Sequence, residues 1–255
     1  MNKKTAKDLI LNARGQLIGR YGQAILVIIV VLFLNWLIAS FADLAYNGTI
    51  SSSIFRFIIL LIINLLMGVL SFGEDRYFLN LVRGTQGLSP ADLFYGVKNS
   101  TDKAICLKAV YTLASLISGI PLVYLSLFVV LTERQSVAAV LLISFFELII
   151  IFVVKMFFGL CFYILSDKPE LSFKEILAES NRLMKGNRLK FILLLLRTIP
   201  YMILGWLALV VGFLWPYAIY KTALANFYLD TIGEEPYNPL WQKEPEGTDT
   251  SQPLF

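Results

Sequence analysis

Long apolar runs separated by short polar stretches dominate the chain. Six of them fall at about 24–42, 54–73, 105–131, 136–164, 189–208 and 213–231. Each approaches or exceeds the roughly 20 residues a helix needs to cross hydrocarbon. In lipid a backbone must satisfy its own N–H and C=O groups, and a helix does so within one segment. The pattern therefore predicts an all-α fold. It is a polytopic membrane helical bundle of six transmembrane helices plus cytoplasmic interfacial amphipathic helices, with residues 1–232 as the membrane domain. No small-residue cleavage pattern closes the first apolar run, so that run is expected to remain as an anchor. Residues 233–255 hold Pro, Gly, Ser and Thr among Glu234, Glu235, Glu244, Glu246 and Asp249. They read as a disordered cytoplasmic tail.

The polar stretches carry a second pattern. Thr5–Asp8, Ser89–Asp92 and Ser172–Glu175 each set a hydroxyl three residues before a carboxylate, the arrangement of a capping box or its Asp variant. Pro90 stands at a first helical position, where its missing N–H costs nothing. Apolar residues then recur at helical spacing: Ala6, Leu9, Ile10, Ala13 and Leu17 in the first segment, and Phe173, Ile176, Leu177 and Met184 in the third, with Gly186 as the residue that ends the helix. Such helices can lie in the headgroup region or pack on the protein's own cytoplasmic face. The even placement of Thr5, Ser89 and Ser172 suggests three parallel repeats, 5–88, 89–171 and 172–232, each a surface helix plus a helical hairpin. Trp215-Pro216-Tyr217 reads as the opening of the sixth helix after a short turn at Val211-Gly212-Phe213.

Lysines and arginines orient the predicted spans. Fifteen sit on one side: Lys3, Lys4, Lys7, Arg14 and Arg20 before the first span; Arg76, Arg83, Lys98 and Lys103 after the second; Lys168, Lys174, Arg182, Lys185, Arg188 and Lys190 after the fourth. The opposite loops hold only Arg134. This bias places both termini in the cytoplasm of a plasma-membrane, multi-pass protein.

Against that background, charges inside the spans stand out. Arg197 lies about 12 Å from the start of the fifth span, at 1.5 Å per residue. Lys155 and Lys221 reach similar depth, and Glu147 lies two turns from Lys155 as the one carboxylate well inside a span. Ionisable groups at such depth are costly and usually face a protein interior or a watery cavity. Glu147, Lys155, Arg197 and Lys221 are therefore the candidate intramembrane polar cluster. In one reading Glu147 pairs with a cation and backbone carbonyls serve the rest. In the other the cations line a cavity for an anionic headgroup, solute or peptide carboxylate. Pro200, beside Arg197, frees a carbonyl near residue 196 and favours a local polar pocket.

Composition agrees with the class. Of 255 residues, 57% are hydrophobic and 16% charged, which excludes an ordinary soluble domain. The net charge of +4 sits at span edges, where topology accounts for it, so no nucleic-acid partner is expected. There is no His, and Cys106 and Cys161 form no metal or redox spacing. No catalytic constellation, metal site or cofactor is expected.

Ser180-Asn181-Arg182-Leu183-Met184-Lys185-Gly186 leads into an apolar span, followed later by Pro216-Tyr217, Thr222, Ala225 and Phe227-Tyr228. With Gly73, Tyr77-Phe78-Leu79, Arg83-Gly84 and Asp92-Leu93-Phe94, and with Ala13-Arg14 near the start, this resembles the bacterial domain-of-unknown-function 975 family of integral membrane proteins. The resemblance implies a bacterial, Gram-positive plasma membrane and no particular activity. Two departures stand out. Leu196-Arg197-Thr198-Ile199-Pro200-Tyr201 replaces a family pattern L-S-F-I-G-W, and Gly119-Ile120-Pro121 replaces Pro-Gly-Ile. Arg197 thus falls outside the shared pattern. The expected function is non-enzymatic: binding or moving an anionic amphiphile (a lipid) or peptide, or supporting envelope homeostasis. The alternative is a structural or assembly partner of another membrane protein or transporter.

Overall fold

The computed structural model describes residues 4–44, 49–132, 137–207 and 209–237. Among them the chain is all helical, with no strand. The α-helices are α1 (Ala6–Leu17), α2 (Tyr21–Leu44), α3 (Ile50–Val82), α4 (Tyr95–Lys98), α5 (Thr101–Thr132), α6 (Val137–Phe158), α7 (Cys161–Asp167), α8 (Phe173–Met184), α9 (Arg188–Leu207) and α10 (Leu209–Ile232). A 3-10 turn, Pro90–Phe94, precedes α4.

Among the described residues, five helical stretches are long and apolar enough to cross a membrane: Tyr21–Phe41, Ser51–Val82, Thr101–Pro121, Ser144–Asp167 and Arg188–Leu207. The sixth predicted span lies in α10, which is helical but not among the five. α10 is the enclosed helix of the bundle, buried at every residue from Lys221 to Leu229. Its polar residues Lys221, Thr222 and Asn226 are inside.

Three features differ from the sequence reading, one being that the fourth expected span, 136–164, is split into α6 and α7 at Gly159 and Leu160. The second apolar stretch does not stop at residue 73; its helix runs on to Val82 and carries Glu74, Asp75 and Arg76 with it. Pro216 does not open a helix. It lies inside α10, and Gly212 of the expected turn is also helical. A proline cannot donate to the carbonyl four residues back, which here is that of Gly212. Gly205 of α9 meets this spot. A Cβ there would come 2.6 Å from Pro216 Cγ and 2.8 Å from the Gly212 oxygen, so only glycine lets α9 approach so closely.

The short helices sit on one face of the bundle. Both reciprocal bonds of the capping box are present at Thr5–Asp8, Ser89–Asp92 and Ser172–Glu175. These bonds satisfy N–H groups that a helix start leaves unpaired. Of the two placements open for α1, the structure takes the protein's own face: Leu9, Ala13 and Leu17 are fully buried against α9 and α10. The 3-10 turn packs on α2 and α3, and α8 packs on α6 and α7. Gly73 admits the turn, because a Cβ there would collide with the Leu93 carbonyl. Gly186, with φ +89°, ends α8 in the left-handed region that favours glycine.

α6 stops short of α7, and its last carbonyls need donors. Ser180 of α8 donates to the Phe157 carbonyl at 3.0 Å. Tyr111 of α5 donates to that of Phe158.

Below this layer, three aromatic–aliphatic triplets are buried together: Tyr77-Phe78-Leu79 on α3, Phe162-Tyr163-Ile164 on α7 and Phe227-Tyr228-Leu229 on α10. Tyr163 stacks on Tyr228 with ring centroids 5.4 Å apart.

An ion knot ties the same face. Arg83 forks to Asp167 at 2.7 and 2.8 Å and to Glu234 at 2.7 Å through both oxygens. The Tyr228 hydroxyl also donates to Asp167 at 2.9 Å. Gln16 and Asn226 exchange amide hydrogen bonds at 3.2 and 2.7 Å. The start of the tail joins in, for Tyr237 N–H donates to the Val82 carbonyl at 2.8 Å. Residues 238–255 of the expected tail lie outside the described residues.

Candidate functional site

The central feature is a cleft of about 660 Å³ in the middle of the bundle, lined by α3, α5, α6, α7, α9 and α10. Its chemistry starts with adjacent carboxylates on α3. Glu74 and Asp75 are 3% and 8% exposed, and Lys221 of α10 is 9% exposed between them. Lys221 Nζ lies 2.7 Å from Glu74 Oε2 and 2.8 Å from Asp75 Oδ1. One ammonium thus serves two carboxylates. A cation and two anions inside a bundle are tolerable only when paired in this way.

Two further lysines line the cleft, Lys108 of α5 and Lys155 of α6. Gly68 of α3 allows the Lys108 stem to lie close, since a Cβ there would come 2.9 Å from Lys108 Cγ. Among the described residues, neither lysine has a carboxylate partner. Both lie within electrostatic reach of Glu74, Asp75 and Lys221. The Thr112 hydroxyl donates to the Asn64 side-chain oxygen at 2.9 Å, and Asn64 also lines the cleft.

The cleft is polarised along the helices. Its charged groups gather toward the short-helix face, at Glu74, Asp75, Lys108 and Lys155. Phe57, Leu60 and Leu61 of α3, Leu116 of α5 and Ile151 of α6 line the far part. From Phe57 to Ser71, both in the lining, α3 rises about 21 Å. A site with one charged end and one apolar end fits an amphiphile better than a small polar solute.

The four residues singled out in the sequence separate here. Lys155 and Lys221 both line the cleft; Glu147 and Arg197 do not. Arg197 is exposed on the outer side of α9, beside exposed Leu193, Leu196 and Ile199. Glu147 is half-buried on α6 among exposed Leu148, Phe145 and Phe146. Nor is Glu147 the one carboxylate deep in a helix, because Glu74 and Asp75 lie within Ser51–Val82. They were missed because the run Gly73-Glu74-Asp75-Arg76 reads as a loop when hydropathy is averaged. The run Lys108, Thr112, Ser115 at helical spacing on α5 was an available signal for the polar wall. Cys106 is exposed and Cys161 buried, both free. Among the described residues no cluster of three or more His, Cys, Asp or Glu is placed to hold a metal ion.

Apolar helices of spanning length around a cleft with one charged end define the class: a helical integral membrane protein. More particularly, residues 1–234 match the family described as "protein of unknown function (DUF975)", and the chain belongs to that family. No curated protein and no solved structure matches it.

Proposed function

We propose that this is a non-enzymatic membrane protein that takes an anionic amphiphile into the central cleft, its head on Lys108 and Lys155 and its chain along Phe57, Leu60 and Leu61. The observation that carries this reading is the pair of lysines without carboxylate partners at the charged end of a cleft whose other end is apolar. Lys221 is occupied by Glu74 and Asp75, so its role is to hold the wall together.

In the same reading the chain is a bacterial plasma-membrane protein crossing six times, with α10 as the sixth span and both termini in the cytoplasm. The fifteen cations on the short-helix side support that orientation. The three capping boxes and the three buried triplets support a three-block repeat. Each surface element packs on the preceding hairpin, with α1 closing the ring on α9 and α10.

The test is equilibrium binding of a fluorescent fatty acid to the full chain in nanodiscs of neutral lipid. Wild type is expected to bind, and a Lys108→Met, Lys155→Met double variant to lose about tenfold or more in affinity. No binding by wild type, or undiminished binding by a folded double variant, would overturn the proposal.

A further inference from the structure

We infer that the cleft selects a head group carrying one negative charge over a head group carrying two, and that Glu74 and Asp75 set this limit. The inference deepens the amphiphile reading and rests on it.

Five ionisable side chains meet in the cleft: Glu74 and Asp75 from α3, Lys108 from α5, Lys155 from α6 and Lys221 from α10. Among the lining groups the remaining titratable ones are phenols, Tyr111 on α5 and Tyr217 and Tyr220 on α10. With the five ionised, the three lysines outweigh the two carboxylates by one charge. Lys221 touches both carboxylates, so that triad alone carries one surplus negative charge. Lys108 and Lys155 together add two positive charges, so the five groups leave one positive charge for a head group that sits on both lysines.

Surplus charge is expensive where water is scarce, so a bound state of zero net charge is favoured over one of either sign. A carboxylate or a phosphodiester brings the cluster to zero. A phosphomonoester dianion carries it past zero, and the second negative charge is repelled by the buried Glu74 and Asp75. The carboxylates therefore exclude as well as pair, which is how a site rejects a wrong partner.

The experiment is competition against a bound fluorescent fatty acid, using the full chain in neutral-lipid nanodiscs at about pH 8, where a phosphomonoester is a dianion. Competitors share one alkyl chain and differ in head: carboxylate, phosphate methyl ester, phosphate monoester and phosphocholine. The two monoanions are expected to compete about tenfold more strongly than the dianion, with the zwitterion weakest. Glu74→Gln should close the gap between monoanion and dianion; Asp75→Asn is the second variant should the first fail to fold.

Equal or tighter binding of the dianion by wild type overturns the inference while leaving the amphiphile reading standing. So does an unchanged gap in both folded variants. Failure of every anion to compete overturns the reading and the inference together. A stronger carboxylate than diester, or the reverse, supports the charge limit and tells a free acid from a phospholipid.

Discussion

Lys221 and Arg197 are both cations placed in apolar helices at similar depth, yet they end in opposite surroundings. Lys221 is buried with a carboxylate on each side. Arg197 is exposed on the outer face of α9. Depth along a helix therefore says little about a charge. The helical face decides, and the face is set by packing. On α9 the buried residues are Phe191, Leu194, Thr198 and Gly205. Arg197 follows Leu194 by three residues but stands a full residue off Thr198, so it turns outward with Leu193, Leu196 and Pro200. On α10 the stretch around Lys221 is enclosed on all sides, and its charge had to be matched from another helix.

The most severe way to break the comparison is Lys221→Met. It leaves Glu74 and Asp75 buried side by side without their cation, and removing one partner of a buried pair costs about 3–5 kcal/mol. Chemical denaturation in mild detergent should show that loss. Adding Glu74→Gln and Asp75→Asn to the same chain should restore much of it, because no buried charge is then left over. If Lys221→Met is no less stable than wild type, the triad is not what holds α3 to α10.

A smaller effect separates charges in the bundle from charges in water. Asp8 and Glu175 are exposed members of capping boxes. Asp8 is held below the usual carboxylate range, first by the Thr5 hydroxyl and then by the Thr5 backbone N–H. For Glu175 the Ser172 backbone N–H comes first and the Ser172 hydroxyl second. A depressed folded value stabilises above the unfolded value, and that stability is lost as pH falls through the folded value. Both caps should therefore hold at neutral pH and loosen only below about pH 4. Thr5→Ala should cost about 1 kcal/mol. It should also flatten the acid-side fall of α1 protection, read by hydrogen exchange. An acid transition that Thr5→Ala leaves unchanged would show that the Thr5–Asp8 box does not govern it.

These features differ in how far the sequence revealed them. The capping boxes and the Gly186 stop were legible because each is made within a few residues, where identity and spacing fix the geometry. The long helices were legible because apolar length alone specifies them. The triad was not. Glu74 and Asp75 are 146 or more residues from Lys221 in sequence, and only α3 meeting α10 turns a polar run into a buried one. Two of the five charged groups of the cleft, Lys155 and Lys221, were visible as isolated cations in grease. Arg197 carried the same local signal and lies elsewhere. The triplets around Tyr77, Tyr163 and Tyr228 were open to a search for repeated aromatic pairs, and their burial gives that pattern its meaning. The Arg83 knot was hidden for the triad's reason, since its partners Asp167 and Glu234 come from distant segments.

The smallest expected effect is also the sharpest test of the opening contrast. Arg197→Leu replaces an exposed cation by the residue type that surrounds it on the outer side of α9. It removes no hydrogen bond or ion pair among the described residues, and Arg197 does not line the cleft. Stability in detergent should change by less than about 0.5 kcal/mol, as for substitutions away from packed or paired features. Fatty-acid affinity should be unaltered. In a bilayer the change can only relieve the cost of holding a guanidinium near hydrocarbon. A loss of binding, or a loss of stability approaching that of Lys221→Met, would mean that Arg197 reaches a partner the helical face denies it. The rule that packing, rather than depth, sorts these cations would then fail at its simplest case.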